Sequence, residues 1–120
     1  MLKRENVIHD KSYAFAIEII KLSQFLITDR KEYVLSKQLI RSGTAVGALL
    51  REAKFAQSKK DFIHKMSIAL KEANETQYWI SLLKDTGFIN VNLFDILNTS
   101  CKELIALLVA SIKTLKREGN

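Results

Sequence analysis

Residues Gln38 to Leu83 read QLIRSGTAVGALLREAKFAQSKKDFIHKMSIALKEANETQYWISLL. Together with Leu35 just before them, Leu39, Ser42, Val46, Leu49, Ala53 and Ala56 recur at alternating spacings of four and three. After Ser58 the same rhythm restarts with Phe62, Met66, Ala69, Ala73, Thr76, Ile80 and Leu83. Apolar or small residues at this period lie on one stripe of an α-helix, and a period close to 3.5 lets two such stripes pack along their length. Between the stripes, Ser58-Lys59-Lys60-Asp61 resembles a capping box, with a hydroxyl to cap the helix and an acid three residues on. The stretch therefore predicts two long antiparallel helices joined at Ser58. Gly43 and Gly47 interrupt the first of them, each costing about 1 kcal/mol relative to alanine. A close approach of a neighbouring helix is the simplest compensation, and a kink is the alternative.

Working outward, Phe15, Ile19, Leu22 and Leu26 place a first helix over about Lys11–Ile27, with Asp10 or Ser12 as its cap and a polar turn at Thr28–Lys31. The second helix is expected over Glu32–Ala56 and the third from the Ser58 cap to Asp85. Leu93, Leu97, Leu104, Leu108 and Leu115 mark a fourth helix over about Asn92–Lys116, its inner face widened by Ile96, Leu107 and Ile112 and its cap at Asn90 or Asn92. The chain contains no proline and only 4 glycines, too few turn formers for a sheet fold of 120 residues. The fold expected is all-α: one domain over residues 1–120, an up-down-up-down left-handed four-helix bundle. No apolar run reaches the ~18 residues of a membrane span. The start, MLKRENVIHD, is basic without an apolar stretch, so neither membrane insertion nor a signal peptide is expected. The lone Cys101, at helical spacing from Leu97, Leu104 and Ile105, reads as a small buried hydrophobe and suits a reducing, cytoplasmic setting.

Net charge is +6. In an up-down bundle the first helix's start, the second turn and the fourth helix's end share one pole. That pole collects Lys3, Arg4, Lys11, Arg51, Lys54, Lys59, Lys60, Lys113, Lys116 and Arg117 against Glu5, Asp10, Glu52, Asp61 and Glu118, ten cations to five anions. The opposite pole is nearly balanced. Arg51, Lys54, Lys59, Lys60, Lys113, Lys116 and Arg117 are the candidate nucleic-acid-binding residues, contacting the phosphate backbone with little sequence preference. Competing with this is the ordinary role of such residues: lysines at a helix end complement its dipole, and Lys59 and Lys60 solubilise a turn. No aromatic residue interleaves with these cations along the chain, so stacking on single strands is not expected.

Residue types suited to catalysis are sparse. A di-iron bundle site needs Glu-x-x-His on two helices and two more glutamates. The two histidines, His9 and His64, do not meet that spacing, and Glu72 and Glu75 are expected to pair with Lys71 or with a cation across a helix contact. No metal site and no cofactor are expected. Arg4-x4-His9 matches an Arg-x4-His pattern of some helical-bundle ribonucleases, but at the chain's start rather than on a later helix. There is no phosphate-cradling glycine loop and no arguable Ser-His-Asp set, so no enzyme is expected. Tyr78 and Trp79 point to different sides of the third helix, leaving one outside the core. With Phe88 and Phe94 they suggest a contact between subunits.

Gln38-Leu39, Arg41-Ser42, Glu52-Ala53, the block Ser58-Lys59-Lys60-Asp61-Phe62, and Ala69-Leu70-Lys71-Glu72-Ala73 with Glu75-Thr76 and Tyr78-Trp79 resemble the family of four-helix-bundle proteins encoded in intervening sequences of bacterial 23S ribosomal RNA genes. Tyr13-Ala14-Phe15 and the fourth helix also fit, so the resemblance covers nearly the whole chain. It departs where the family commonly has Ser-x-Gly-Ala-Asn-Ile: here Ala45-Val46-Gly47-Ala48-Leu49-Leu50, with Ala45 and Leu49 replacing the polar residues. The resemblance implies an all-α bundle assembling into a ring-like homo-oligomer, a pentamer, without enzymatic activity. It also implies a link to ribosomal RNA by gene location, and, through a related branch of retroelement accessory proteins, RNA or DNA and a reverse transcriptase as partners. Three functions follow in order: an oligomeric nucleic-acid-binding accessory protein, a protein-protein adaptor with an exposed apolar patch around Trp79, and a ribonuclease using Arg4 and His9.

Overall fold

The computed structural model describes residues 3–118, with side chains from residue 6 onward. Four helices, α1 (Lys3–Thr28), α2 (Val34–Ala53), α3 (Lys59–Asp85) and α4 (Val91–Arg117), are joined by the turns 29–33, 54–58 and 86–90. Turns this short force each helix to run back along the last. Each packs on its sequence neighbour and α4 closes on α1, while the backbones of the diagonal pairs stay more than 8 Å apart among the described residues. The bundle measures 49 × 22 × 19 Å.

Sequence chemistry sets three of the helix starts. The Ser58 hydroxyl accepts from the Asp61 amide at 3.0 Å, and the Asp61 carboxylate accepts from the Gln57 amide at 3.2 Å, one residue before the expected partner. Asn90, not Asn92, caps α4, its Oδ1 accepting from the Leu93 amide at 2.8 Å. Glu32, expected inside α2, instead stands before it. Its two carboxylate oxygens take the amides of Leu35 (3.0 Å) and Ser36 (2.8 Å), which satisfies donors the first turn leaves open. At the other end of α2, Lys54, Phe55 and Ala56 donate to carbonyls three residues back, so the helix tightens and ends at Ala53 rather than Ala56. α1 corrects the reading most. It is already helical at Lys3, so Asp10 and Ser12 are interior, not caps, and the Ser12 hydroxyl donates to the His9 carbonyl at 3.0 Å. The cause is Ile8, 1% exposed, which extends the inner stripe of α1 by one more step and makes burial there worthwhile.

The core has two parts. One gathers Phe15, Ile19, Leu22, Leu26, Leu39, Ile80, Leu83, Ile89, Leu97, Cys101 and Leu104. The other, nearer the first helix's start, gathers Ile8, Val46, Leu50, Met66, Ala69, Ala73, Leu108 and Ile112. Leu50 is the fully buried neighbour; Leu49 packs half-buried against the same cluster and extends its apolar packing. Ile96 breaks the expected inner face of α4: it is 63% exposed. Small residues hold the middle. An alanine Cβ at Gly43 would stand 2.8 Å from both Cγ atoms of Ile19, so a close approach of α1, not a kink, is what this glycine permits. Two buried hydroxyl pairs tie α2 to its neighbours, Ser23–Ser36 at 2.7 Å toward α1 and Thr76–Ser42 at 2.8 Å toward α3. Cys101 is fully buried, its thiol donating to the Ala73 carbonyl at 3.2 Å, and burial pushes its pKa up to about 12.

Candidate nucleic-acid interface

The antiparallel course brings the seven candidate cations to one pole. Arg51 and Lys54 close α2, Lys59 and Lys60 open α3, and Lys113, Lys116 and Arg117 occupy the final turns of α4. All seven are exposed, and none forms an ion pair with a described carboxylate. Two other charges of that pole are engaged elsewhere. Lys11 pairs with Glu103 at 3.1 Å, and Glu52 pairs with Lys65 at 3.1 Å. Of the five acids expected to offset the pole, Glu52 is thus already matched to a lysine outside the seven. Lys116 and Arg117 also complement the α4 dipole, which accounts for their position without a ligand.

Arg51 and Lys54 differ from the other five. They line a cleft of about 680 Å³ between α1 and α2, whose opposite wall is His9, Asp10 and Tyr13. Thr44 lies on the α2 side, and Ser12, Ala16, Gly47 and Ala48 keep the space open because none carries a large side chain. Tyr13 is 63% exposed. Reading the chain linearly missed this aromatic among the cations, because it lies on a different helix from them; the spacing of α1 against α2 was the missing information. His9 lines the cleft, whereas the Arg4 side chain of the Arg-x4-His pattern lies outside the described residues. His64 is exposed on α3.

The acidic pair of α3 has a cation, but not Lys71. The Arg41 guanidinium on α2 binds Glu72 at 3.1 Å and also pairs with Glu75, whose carboxylate accepts the Trp79 indole N–H at 3.0 Å. Each glutamate is thereby held by a cross-helix fork, a geometry suited to guanidinium. Among the described residues, no group of three or more His, Cys, Asp or Glu side chains is arranged to hold a metal ion. Trp79 is half-buried against the core and meets the exposed Tyr78 edge-on at 5.1 Å. Phe88 and Phe94 are likewise half-buried on the core, with the Arg30 guanidinium 5.0 Å from the Phe88 ring centre and the Lys84 ammonium 4.1 Å from that of Phe94, while Tyr78 beside Trp79 stays 58% exposed. Among the described residues, no helix is long and apolar enough to cross a membrane.

Residues 4–110 match the family model described as 23S rRNA-intervening sequence protein. The chain belongs to that family. A crystal structure of a protein of unknown function from the S23 ribosomal protein family of Bacteroides thetaiotaomicron is 49% identical in sequence to this member of the intervening-sequence family. The similarity covers 92% of this chain and 98% of that one, with a TM-score of 0.90. No curated protein is similar enough to serve as a relative of known role. The seven polar cations, the α1–α2 cleft and the Arg41 network are therefore features of an intervening-sequence family bundle whose function has to be argued from its own surface.

Proposed function

We propose that this family member is a non-catalytic, homo-oligomeric accessory protein of the cytoplasm that binds RNA or DNA through its basic pole. The observation that carries the reading is the gathering, from three helix ends, of seven exposed cations that pair with no carboxylate among the described residues, with Arg51, Lys54, Lys59, Lys60, Lys113, Lys116 and Arg117 as the phosphate contacts. Such contacts grip the backbone and bind with little sequence preference. Self-association is supported by a second apolar stripe on α1: Ile17, Ile20 and Ile27 fall on one outer face and are all exposed. A pentameric ring is the assembly the family resemblance implies. A reverse transcriptase is a partner class compatible with such an assembly.

Light-scattering mass, alone and with structured ribosomal RNA at two salt concentrations, tests both halves. The expected result is a multimer that gains mass with RNA at low salt and releases it at high salt. If four cations engage a single strand, affinity drops roughly 50-fold between 50 and 200 mM salt. The Lys59→Glu, Lys60→Glu variant is the matching control, because acids in the first turn of α3 favour its dipole and leave folding intact. Equal binding by that variant refutes the pole as the contact. A multimer indifferent to RNA makes the α1 stripe, and a protein partner, the better reading. Intact RNA after incubation is expected; cleavage abolished by His9→Ala would instead support a ribonuclease.

A further inference from the structure

The α1–α2 cleft differs in kind from the rest of the basic pole. Surface lysines hold a phosphate backbone but select nothing about what it carries. The cleft adds three things: an open concave space, an exposed aromatic ring and fixed hydrogen-bonding groups. At about 680 Å³ it falls within the ~300–1,000 Å³ typical of small-molecule sites. Its small-residue floor at Ser12, Ala16, Gly47 and Ala48 lets a planar group lie close to the backbone of both helices. Tyr13 stands on one wall with 63% of its surface accessible, and Arg51 and Lys54 stand on the other. An aromatic face opposite two cations matches the two halves of a nucleotide, a base with a π-face and a phosphate with negative charge.

The geometry points to this cleft as the seat of one unpaired nucleotide of a single-stranded nucleic acid, with Tyr13 stacking on the base and Arg51 and Lys54 taking its phosphate. A duplex keeps its bases stacked on one another and has none to insert, so this seat selects strands with an unpaired base over paired ones. The inference rests on the nucleic-acid reading above and deepens it, since the pole alone does not distinguish the two. The polar groups at the cleft also constrain the base. Thr44 spends its proton on the Ile40 carbonyl at 2.6 Å, which leaves its oxygen to accept, while Ser12 beneath is fully buried. With the Asp10 carboxylate on the other helix, the cleft offers acceptors to a base. An exocyclic amino group, which adenine, cytosine and guanine all carry, supplies the matching donor, and adenine serves as the probe.

The test measures affinity of the full chain for a 12-nucleotide adenine RNA strand, for the same strand paired with its complement, and for AMP, at one low salt concentration. Wild type is expected to prefer the single strand. Tyr13→Ala is expected to weaken single-strand binding by about 5- to 150-fold, the range of one lost base–aromatic stack, and to leave the duplex unaffected. Tyr13→Phe keeps the ring and is expected to bind like wild type. Tyr13 is exposed, so none of these changes disturbs the core, and because it borders the Ile17, Ile20 and Ile27 face each variant is compared only at the light-scattering mass of wild type. Undiminished single-strand binding by Tyr13→Ala overturns the inference, as does an equal loss for both forms. If, in that case, Lys59→Glu, Lys60→Glu still abolishes binding, the basic pole stands and only the nucleotide seat falls. Saturable binding of AMP as tight as that of the strand overturns the strand version by assigning the cleft to a free nucleotide. No binding of any nucleic acid overturns the seat and the pole together.

Discussion

Gly43→Ala and Gly47→Ala make the same chemical change four residues apart on one helix, and the structure assigns them opposite signs. An added Cβ at Gly43 would meet Ile19 Cγ1 and Cγ2 at 2.8 Å and its Cβ at 3.2 Å. Carbon atoms rest at about 3.5–4.0 Å, so α1 and α2 would have to part by roughly 0.7 Å or Ile19 would have to turn away. Ile19 is fully buried and branched at Cβ, so its rotamer has little freedom. Overpacking of this kind costs about 1–3 kcal/mol, and a clash with both the Cγ1 methylene and the Cγ2 methyl places it toward the upper end. Alanine's better helix propensity returns about 1 kcal/mol, leaving a net loss of about 1–2 kcal/mol. At Gly47 the nearest atoms are Ser12 Oγ at 3.5 Å and the Ser12 carbonyl oxygen at 3.6 Å, ordinary contact distances, so the propensity gain of about 1 kcal/mol survives. The two variants should differ by about 2–3 kcal/mol, on the order of 6–12 °C in Tm for a chain of this size. Thermal and guanidinium unfolding followed by circular dichroism, at one fixed protein concentration so that assembly contributes equally, reads this difference. Ile19→Ala alone should cost about 2–5 kcal/mol, and adding Gly43→Ala to it should cost nothing more, because the new methyl occupies vacated space. Should Gly43→Ala prove as stable as Gly47→Ala, the close approach of α1 and α2 is wrong.

Two further perturbations probe other contacts. With the Cys101 pKa pushed up to about 12 in the folded state and near 8.5 when unfolded, the native form holds its proton longer. The stability this provides is complete below about pH 8.5 and is lost as pH rises toward 12, at up to about 1.4 kcal/mol per pH unit. Denaturation between pH 7 and 10 should therefore show wild type weakening relative to Cys101→Ala, and a constant gap between them would rule out the buried thiol as its cause. Arg41→Ala leaves Glu72 and Glu75 facing one another without their cation, and Glu72 is only 17% exposed in its side chain. A loss of about 1–2 kcal/mol is expected, more than an open surface pair gives, with part of it recovered by adding Glu75→Gln. A loss within error of zero in urea titration would make the network incidental.

Period carried most of what was legible. Phe15, Ile19, Leu22 and Leu26 are all buried where their spacing put them, as are Met66, Ala69, Ala73, Thr76, Ile80 and Leu83, because a stripe of burial is a property of one helix read alone. Ser58 and Asn90 marked the starts of α3 and α4 through local hydrogen bonds that span three residues. What resisted was anything decided between helices. Ile8 stood before the expected first helix until the second core cluster gave it a place. Arg41 finds its glutamates across 31 and 34 positions, beyond any local pattern. Ile96 fits the α4 stripe yet no neighbour covers it. Tyr13 comes beside Arg51 and Lys54 only because α1 lies against α2, so the order of residues alone could not place an aromatic ring among these cations.

The fork of Arg41 onto Glu75, and of Glu75 onto the indole of Trp79, gives the chain an internal lamp in a known place. There is one tryptophan in 120 residues. Its indole N–H is held by a carboxylate locked to the neighbouring helix, so a slip of α2 along α3 is expected to change its emission before either helix melts. Arg41 and Arg51 are ten positions apart on α2, about 15 Å along the axis. Loading of the basic end should therefore leave this light steady while loss of helix register dims or shifts it, and a single optical channel tells docking apart from deformation.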